Sequence, residues 1–232
     1  MNSVVIKRTK RDYFTEEAFK SLRTNLQFCG EDKKVITITS SIPNEGKSTV
    51  SLTLAISMAE AGKKVLFIDA DLRKSVLAGR VKMNGEIKGV THFLSKQESL
   101  QNIICSTDVK NLYVTIAGPV PPNPTELLGG NLFKEMIAAT RQVYDYVIID
   151  TPPLGSVIDS AIVAENCDGA VLVIESGAIS YYFAQNVKKQ LEKSNCPILG
   201  AVLNKVDQSV NGKYGKYGKY SKYGNYYGNE EV

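Results

Sequence analysis

Short runs of apolar residues alternate along the chain with longer segments in which apolar and polar residues are mixed. The apolar runs predict six strands, at residues 35–39, 65–69, 112–117, 146–150, 170–175 and 198–203. Several runs are continuous rather than alternating, which is typical of strands buried on both faces of a parallel sheet. The mixed segments predict helices at residues 47–61, 132–142, 160–166 and 182–194. Strands that alternate with helices predict an α/β domain with a mostly parallel central sheet flanked by helices.

An amphipathic helix is predicted near the start of the chain, at residues 15–28. Thr15 is the expected N-cap, and Gly30 marks the end of the helix. At about 100° per residue, the helix has an apolar arc beside a charged arc. The apolar arc consists of Ala18, Phe19, Leu22 and Leu26, and the charged arc consists of Glu17, Lys20 and Arg23. Because the apolar arc is expected to contact the core, the charged arc is left for solvent or for another subunit, and we favour the subunit.

The last segment of the chain departs from this pattern. From about residue 208 it has almost no aliphatic residues and repeats Gly/Ser-x-Tyr, as in GKYGKYGKYSKYGNYYGN. Such a segment cannot bury a core, and we predict a disordered, flexible tail at residues 208–232. The chain would then comprise an N-terminal segment with an oligomerisation helix at 1–30, a globular domain at 31–207 and this tail. Six of the twelve tyrosines lie in the tail: Tyr214, Tyr217, Tyr220, Tyr223, Tyr226 and Tyr227.

Composition and charge narrow the classes of protein to consider. The formal net charge of the 232 residues is +4, which is compatible with binding a polyanion but does not require it. The four cysteines are isolated from one another, so a reducing, intracellular compartment is expected. No secretory signal is recognisable, and no apolar run reaches the roughly 18 residues of a membrane span. The single histidine, His92, is interpreted as an ordinary surface or packing residue.

A phosphate-binding loop is predicted between the first strand and the helix that follows it. Residues 41–49, SIPNEGKST, follow the pattern G-x-x-x-x-G-K-[ST] with Ser41 in place of the first glycine. Gly46 allows close approach of the backbone, and the loop N–H groups with the helix N-terminus can surround a phosphate. Lys47 supplies a compact positive charge for the β- and γ-phosphates, and the Ser48 hydroxyl suits Mg²⁺. Placed between a strand and a helix, the motif predicts a P-loop NTPase.

Acidic residues follow two of the predicted strands. Asp69 and Asp71 end the run VLFIDAD, and Asp150 ends the run YVIID. Ligands of open α/β sheets bind beyond the carboxyl ends of the strands, so these carboxylates are expected to lie near the loop. Asp71 and Asp150, with Ser48, are the expected ligands of Mg²⁺, and Asp69 is a possible further ligand.

Three motifs together resemble the Walker A, A′ and B motifs of the bacterial tyrosine kinases. They are SSIPNEGKS, VLFIDADLR and VIIDTPP, and the segment AGPVPPNPTELL and the terminal tyrosine cluster are similar as well. The likeness is to the separate cytoplasmic kinases of Gram-positive capsule and exopolysaccharide systems, and it extends from Tyr13 to the C-terminus. The chain departs from the family at Ser75, where proline is usual, and at Lys20, where the subunit-contact motif E-x-x-R-x-x-R has arginine.

This resemblance implies an ATP-dependent kinase that phosphorylates the tyrosines of its own tail. Such kinases are similar in forming a ring, in which the tail of one subunit enters the site of its neighbour. The expected partners are a cognate tyrosine phosphatase and a membrane adaptor of the polysaccharide co-polymerase type, which would recruit the cytoplasmic kinase to the inner face of the plasma membrane. No nucleic acid partner is expected. The expected role is regulation of capsular or exopolysaccharide synthesis and export.

We assign roles to the site residues on this basis. Lys47, Asp69, Asp71 and Asp150 are expected to be catalytic, with Asp69 orienting or deprotonating the incoming tyrosine hydroxyl. The expected ATP-binding residues are Ser41, Pro43, Asn44, Glu45, Gly46, Lys47, Ser48, Thr49 and Asn204, with Thr49 at the α-phosphate. Residues 204–207, Asn-Lys-Val-Asp, are similar to the guanine-recognition sequence N-K-x-D, so use of GTP stays open. We favour adenine as the base that Asn204 contacts.

Two other functions are compatible with parts of the sequence. A positioning ATPase of the MinD/ParA type would have the same fold, but those proteins carry a lysine after the first glycine of the loop, where this chain has Ile42. A polyanion-binding protein could use the tail, where tyrosines alternate with Lys213, Lys216, Lys219 and Lys222. Neither alternative accounts for the three motifs and the tyrosine cluster together.

Overall fold

The computed structural model describes residues 2–7, 12–83 and 85–206, which form one nine-stranded sheet and its flanking helices. The strands are β1 (Ser3–Ile6), β2 (Val35–Ser40), β3 (Val65–Asp69), β4 (Val81–Met83), β5 (Cys105–Thr107), β6 (Leu112–Thr115), β7 (Tyr146–Asp150), β8 (Gly169–Glu175) and β9 (Ile198–Asn204). The helices are α1 (Tyr13–Phe28), α2 (Lys47–Glu60), α3 (Leu77–Arg80), α4 (Val90–Leu94), α5 (Leu100–Ile103), α6 (Pro124–Gly129), α7 (Asn131–Val143), α8 (Asp159–Ala164) and α9 (Tyr181–Glu192). The predicted tail and its six tyrosines lie outside the described residues.

The strand order places β2, the strand before the phosphate-binding loop, in the interior of the sheet between β7 and β8. The order is β4-β1-β5-β6-β3-β7-β2-β8-β9, and every neighbouring pair is parallel except β1 with β4 and β5 with β6. This arrangement confirms the predicted α/β fold with a mostly parallel sheet. All six predicted strands are present, with bounds within two residues of those predicted.

Both faces of the central strands are buried, which explains their continuous apolar runs. Every residue of β2, β3 and β7 is buried. On one face, Phe67 and Ile148 pack in a cluster with Leu54 of α2. On the other face, Leu66 packs in a cluster with Phe133 of α7. Because these strands are adjacent and parallel, the loops that leave their carboxyl ends lie side by side at one edge of the sheet.

Helix α1 begins earlier than predicted. Its N-cap is Asp12, whose carboxylate accepts a hydrogen bond from the backbone N–H of Thr15 at 2.7 Å, so the predicted cap at Thr15 is wrong. An aspartate three residues before that N–H caps a helix at least as well as threonine does. The apolar arc is also smaller than predicted, because Ala18 is exposed whereas Phe19 and Leu26 belong to the core.

Strands β1, β4 and β5 and helices α3 to α6 are absent from the sequence prediction. Each has only three to six residues, which is too short for a hydrophobic period to appear. Strand β1 lies between β4 and β5, so residues near the start of the chain extend the main sheet. Within the described ranges, no helix has the length and apolar character needed to cross a membrane.

Candidate active site

The predicted phosphate-binding loop joins β2 to α2. Its backbone adopts left-handed conformations at Asn44 (φ 69°) and Gly46 (φ 88°). No side chain caps the N-terminus of α2, a helix of 14 residues, so its first N–H groups and its dipole can bind an anion. A cavity of about 420 Å³ lies at the loop, and its lining includes Pro43, Asn44, Gly46, Lys47, Ser48 and Thr49.

The side chain of Glu45 supports the loop from inside. It is fully buried, and one carboxylate oxygen accepts hydrogen bonds from the N–H groups of Ser41 (2.6 Å) and Ile42 (2.8 Å). The other oxygen accepts from the N–H of Glu175 on β8 at 3.1 Å. Ser41 and Glu45, both predicted to bind ATP, do not line the cavity. In this structure they hold the loop in shape and fasten it to the sheet.

Replacing Glu45 with Gln is expected to destabilise the fold by about 2–3 kcal/mol, because an amide N–H would face backbone N–H groups. For a domain of this size, the midpoint of thermal unfolding should fall by roughly 5–10 °C. Calorimetry measures this shift, with Glu135→Gln as the matched control, because Glu135 is exposed on α7. An unchanged midpoint in the Glu45 variant would contradict its supporting role.

Asn204, at the end of β9, contacts the loop directly. Its Nδ2 donates a hydrogen bond to the carbonyl oxygen of Glu45 at 2.8 Å. A Cβ atom at Gly46 would lie 2.1 Å from the same nitrogen. Glycine is therefore required at this position both for its positive φ and for the close packing of Asn204. Contact between Asn204 and an adenine base stays a prediction.

Lys205 also reaches the loop. Its Nζ donates to the carbonyl oxygen of Asn44 at 2.7 Å and to the carboxylate of Glu175 at 2.8 Å. The first two residues of the Asn-Lys-Val-Asp sequence thus hold β9 against the loop, and Asp207 lies outside the described residues. These contacts explain the presence of the sequence without recognition of guanine.

Lys47, the first residue of α2, lies at the centre of the site. Its Nζ is 2.9 Å from Asp150 Oδ1, 3.9 Å from Asp71 Oδ2 and 3.1 Å from Ser48 Oγ. Ser51, one turn later on α2, donates a hydrogen bond to Asp150 Oδ1 at 2.8 Å. The side chains of Lys47, Asp71 and Asp150 are all buried. A positive charge therefore already lies among the oxygen atoms that are predicted to bind Mg²⁺.

Asp69 lies opposite Asp150 in the pairing of β3 with β7. Its carboxylate accepts hydrogen bonds from the Ser75 hydroxyl and, at 3.2 Å, from the N–H of Asp71. Burial, and then the neighbouring charge of Asp150, raise the pKa of Asp69 from 3.8 to about 7, although Ser75 and Lys47 oppose the rise. A carboxyl group with such a pKa can accept or release a proton near neutral pH.

The oxygen atoms of the site fit a metal ion that binds together with a nucleotide. Within the described ranges, no group of three or more acidic, histidine or cysteine side chains could hold a metal by itself. Mg²⁺ commonly binds through one or two carboxylates and completes its coordination with waters and substrate phosphates. Ser48, Asp71 and Asp150 offer one hydroxyl and two carboxylates around Lys47 Nζ, which matches that requirement.

Two arginines support the site and are absent from the sequence prediction. Arg80 donates from Nη2 to Thr49 Oγ1 at 2.7 Å. Arg73, in the loop after β3, pairs through Nε (2.7 Å) and Nη2 (3.1 Å) with the fully buried carboxylate of Asp159, and Nη2 also donates to Thr125 at 2.9 Å. These contacts fasten the loop that carries Asp71 to α6 and α8. The arginine of VLFIDADLR is visible in the sequence, but its partner lies 86 residues away.

The charged arc of α1 has partners within the chain. Lys20 Nζ is 2.6 Å from Glu17 Oε1, and both side chains are about half exposed. Arg23 donates from Nη1 to the carbonyl oxygen of Ser57 at 2.7 Å and to its Oγ at 3.2 Å, which fastens α1 to α2. Contact of these residues with another subunit stays a prediction.

Comparison with known proteins gives a family match and two close relatives. The family model AAA_31, described as an AAA domain, matches residues 33–195. The tyrosine-protein kinase CpsD of Streptococcus agalactiae is 50% identical over 196 residues, which are 84% of this chain and 86% of that protein. The solved kinase domain of the Escherichia coli tyrosine kinase ETK superposes with a TM-score of 0.80 at 32% identity, covering 88% of this chain and 84% of that chain.

A more distant likeness is to a positioning ATPase. The septum site-determining protein MinD of Pyrococcus horikoshii, solved in complex with Mg-ADP, gives a TM-score of 0.64 at 26% identity, covering 76% of this chain and 72% of that chain. Both values are lower than for the kinase domain of ETK, so the MinD/ParA alternative has less support. The shared P-loop fold implies a nucleotide site that works with a divalent cation.

Proposed function

This chain belongs to the bacterial tyrosine kinases, and we propose that it transfers the γ-phosphoryl group of ATP to tyrosines of its own C-terminal tail. The observation that carries the proposal is the meeting of Lys47, Asp69 and Asp150 at the phosphate-binding loop, in a chain that ends in six clustered tyrosines. Enzymatic phosphoryl transfer depends on positioning and on stabilisation of charge, and a cation beside carboxylates at a P-loop supports both.

Each residue of the site has a proposed part in binding or positioning. The N–H groups at the start of α2 bind the phosphates, and Lys47 turns from Asp150 to neutralise the β- and γ-phosphates. Ser48, Asp71 and Asp150 would hold Mg²⁺, which adds positive charge at the phosphate oxygens when it is bound. Asp69 accepts a hydrogen bond from the acceptor hydroxyl, because a phenol of pKa about 10 needs such an acceptor at neutral pH.

The proposed acceptors are the six tail tyrosines, and the proposed transfer occurs between subunits. The tail begins close to the site in sequence, because Asn204 and Lys205 contact the loop only a few residues before it. We propose a ring of subunits in which each tail enters the site of a neighbour. The resemblance to the capsule kinases supports this arrangement.

The proposed cellular setting also follows from the family. A membrane adaptor of the polysaccharide co-polymerase type would hold the kinase at the inner face of the plasma membrane, and a cognate phosphatase would reverse the modification. The proposed outcome is regulation of capsular or exopolysaccharide synthesis and export.

Phosphate mapping tests the proposed function. Purified protein incubated with ATP and Mg²⁺ is expected to carry phosphate on the tail tyrosines, as measured by mass spectrometry of its peptides. Omitting Mg²⁺ should abolish the signal, and GTP should support it poorly. Protein that hydrolyses ATP but carries no phosphotyrosine would favour the positioning-ATPase alternative.

The charged arc of α1 is expected to mediate self-association. Replacing Glu17 and Lys20 with Ala should shift the protein toward monomer in light scattering, because these two side chains are exposed and pair only with each other among the described residues. Exposed pairs contribute little to folding, so the unfolding midpoint should stay nearly the same.

Arg23→Ala provides the comparison for this double variant. This substitution also removes the contact of α1 with Ser57. It should therefore lower both the average mass in light scattering and the unfolding midpoint. An unchanged mass distribution in the Glu17/Lys20 variant, or a wild-type protein that is monomeric under all conditions, would remove the subunit contact from consideration.

A further inference from the structure

A second cavity lies next to the cavity of about 420 Å³ at the phosphate-binding loop, which we call the nucleotide cavity. It has a volume of about 490 Å³ and shares Arg73 and Lys74 with the lining of the nucleotide cavity. Ser75, which donates its hydroxyl hydrogen bond to Asp69, also lines it. One hydrogen bond therefore separates this second cavity from the carboxylate that faces the acceptor in the proposed mechanism.

The walls of the second cavity suit an aromatic ring. Ile87 and Ile116 are buried side chains in its lining, and Pro119 adds a further apolar surface. Val120, also in the lining, is 68% exposed, so its apolar surface is available to a ligand. These residues could cover the faces of a phenyl ring.

The uncompensated charge at the second cavity is positive. Glu86, the only acidic residue among the described residues of its lining, is paired with Lys88 at 2.6 Å. Arg73 is paired with Asp159, yet its Nη1 takes no part in that contact. Lys74 Nζ has no ion-pair partner among the residues that the structure describes. Lys74 therefore gives the cavity a net attraction for an anion.

His92 adds a hydrogen-bond donor to the same cavity. Its Nδ1 accepts a hydrogen bond from the backbone N–H of Gly89 at 3.1 Å. A neutral imidazole that accepts at Nδ1 carries its proton on Nε2. The Nε2–H group is therefore a donor, and His92 lines only the second cavity and not the nucleotide cavity.

We propose that the second cavity binds a phosphotyrosine of the tail while a neighbouring tyrosine is being phosphorylated. The ring would lie against the apolar wall, and the phosphate would accept hydrogen bonds from Lys74 and His92. Five tail tyrosines recur every third residue, at 214, 217, 220, 223 and 226. Three extended residues span about 10 Å, and the two cavities adjoin, because Arg73 and Lys74 line both. The first phosphate would then accelerate addition of the next, an inference that rests on the proposed kinase activity.

Binding of synthetic peptides to the whole protein tests the inference directly. The peptide GKYGKYGKYS, residues 212–221, is made with and without phosphate on Tyr217, and its binding is followed by fluorescence anisotropy without ATP. The phosphopeptide should bind at least about tenfold more tightly, as expected for charge-assisted hydrogen bonds. Equal affinity for the two peptides would overturn the proposal, whether or not the protein proves to be a kinase.

Two substitutions of His92 separate its donor from its structural contact. Asn can keep the acceptor in the Nδ1 position but has no group at Nε2, whereas Gln keeps a donor at Nε2 and loses the contact with Gly89. His92→Asn should weaken phosphopeptide binding about tenfold, and His92→Gln should retain most of it. Weakened binding by His92→Gln with full binding by His92→Asn would assign the effect to the contact with Gly89 and overturn the role of the donor. Lys74→Met, on an exposed side chain, should weaken binding similarly. Lys134→Met is the control, because Lys134 is an exposed residue of α7 that lines neither cavity.

The order of phosphorylation gives a second readout in the full chain. Mass spectrometry of a time course yields the rate of the second phosphate relative to the first within each variant. This ratio should exceed one in the wild-type and Lys134→Met proteins and fall toward one in His92→Asn and Lys74→Met. Ratios that are the same in all four proteins would overturn the proposal. Complete absence of tail phosphate would instead refute the proposed function and leave the peptide-binding result to stand alone.

Discussion

Replacing Lys47 with Met is expected to lower the rate of tail phosphorylation on the order of a hundred- to a thousandfold, because it removes a charge that stabilises the transition state. Lys47 Nζ is the only cation within 4 Å of Asp71 and Asp150 among the described residues. Methionine fills a similar volume, so the packing of α2 on the sheet should survive. The measurement is incorporation of phosphate from ATP per subunit over time.

Lys64→Met is the matched control for this variant. Lys64 lies over the rings of Tyr113 and Tyr144 and contacts no residue of the site. The Lys64→Met variant should therefore phosphorylate its tail at the wild-type rate. Circular dichroism must show intact secondary structure in both variants, because loss of Lys47 leaves Asp150 with Ser51 as its remaining hydrogen-bond donor. Wild-type phosphorylation by the Lys47 variant would exclude the P-loop as the catalytic site.

Mixing two inactive variants is expected to restore phosphorylation if transfer occurs between subunits. One variant carries Lys47→Met and keeps its tail, and the other has Phe in place of all six tail tyrosines and keeps its site. Alone, each should carry less than a tenth of the wild-type phosphotyrosine, because one lacks the charge for catalysis and the other lacks the acceptors. Together, phosphate should appear on the tail of the Lys47 variant.

The two chains differ in mass, so mass spectrometry assigns the phosphate to one of them. Phosphate on the tail of the Lys47 variant supports transfer between subunits. A mixture as inactive as its components would contradict transfer in trans, even if the wild-type protein is active. A phenylalanine variant that keeps most of its phosphotyrosine would show that the acceptors lie elsewhere in the chain.

The fold and the position of the site could be predicted from the sequence because both depend on local patterns. Continuous apolar runs mark strands that are buried on both faces, and the end of each such run marks where the sheet presents its ligand-binding edge. The loop motif and the acids at the ends of β3 and β7 lie at that edge because the strands are parallel and adjacent. The meeting of the loop and the acids at one edge can therefore be predicted without knowing any distance between them.

The contacts that support the site could not be predicted because they join residues distant in sequence. The Arg73–Asp159 pair and the contact of Asn204 with Glu45 span 86 and 159 residues. A glutamate in a P-loop motif gives no sign that its side chain turns inward to accept N–H groups. The N-cap of α1 differs from the predicted one for another reason, since Asp12 and Thr15 are both capable caps and the local sequence does not choose between them.

The inward carboxylate of Glu45 has a consequence for how a nucleotide would enter. Ordering a free backbone costs about 1–2 kcal/mol per residue, and a loop that took shape only around its ligand would lose that amount from the affinity. Here Glu45 fixes Ser41 and Ile42 before any phosphate arrives. Association should therefore be limited by diffusion and orientation instead of loop folding, and the entropy of binding should be correspondingly less unfavourable. The Glu45→Gln variant should therefore bind nucleotide with a lower association rate, in addition to its lower unfolding midpoint.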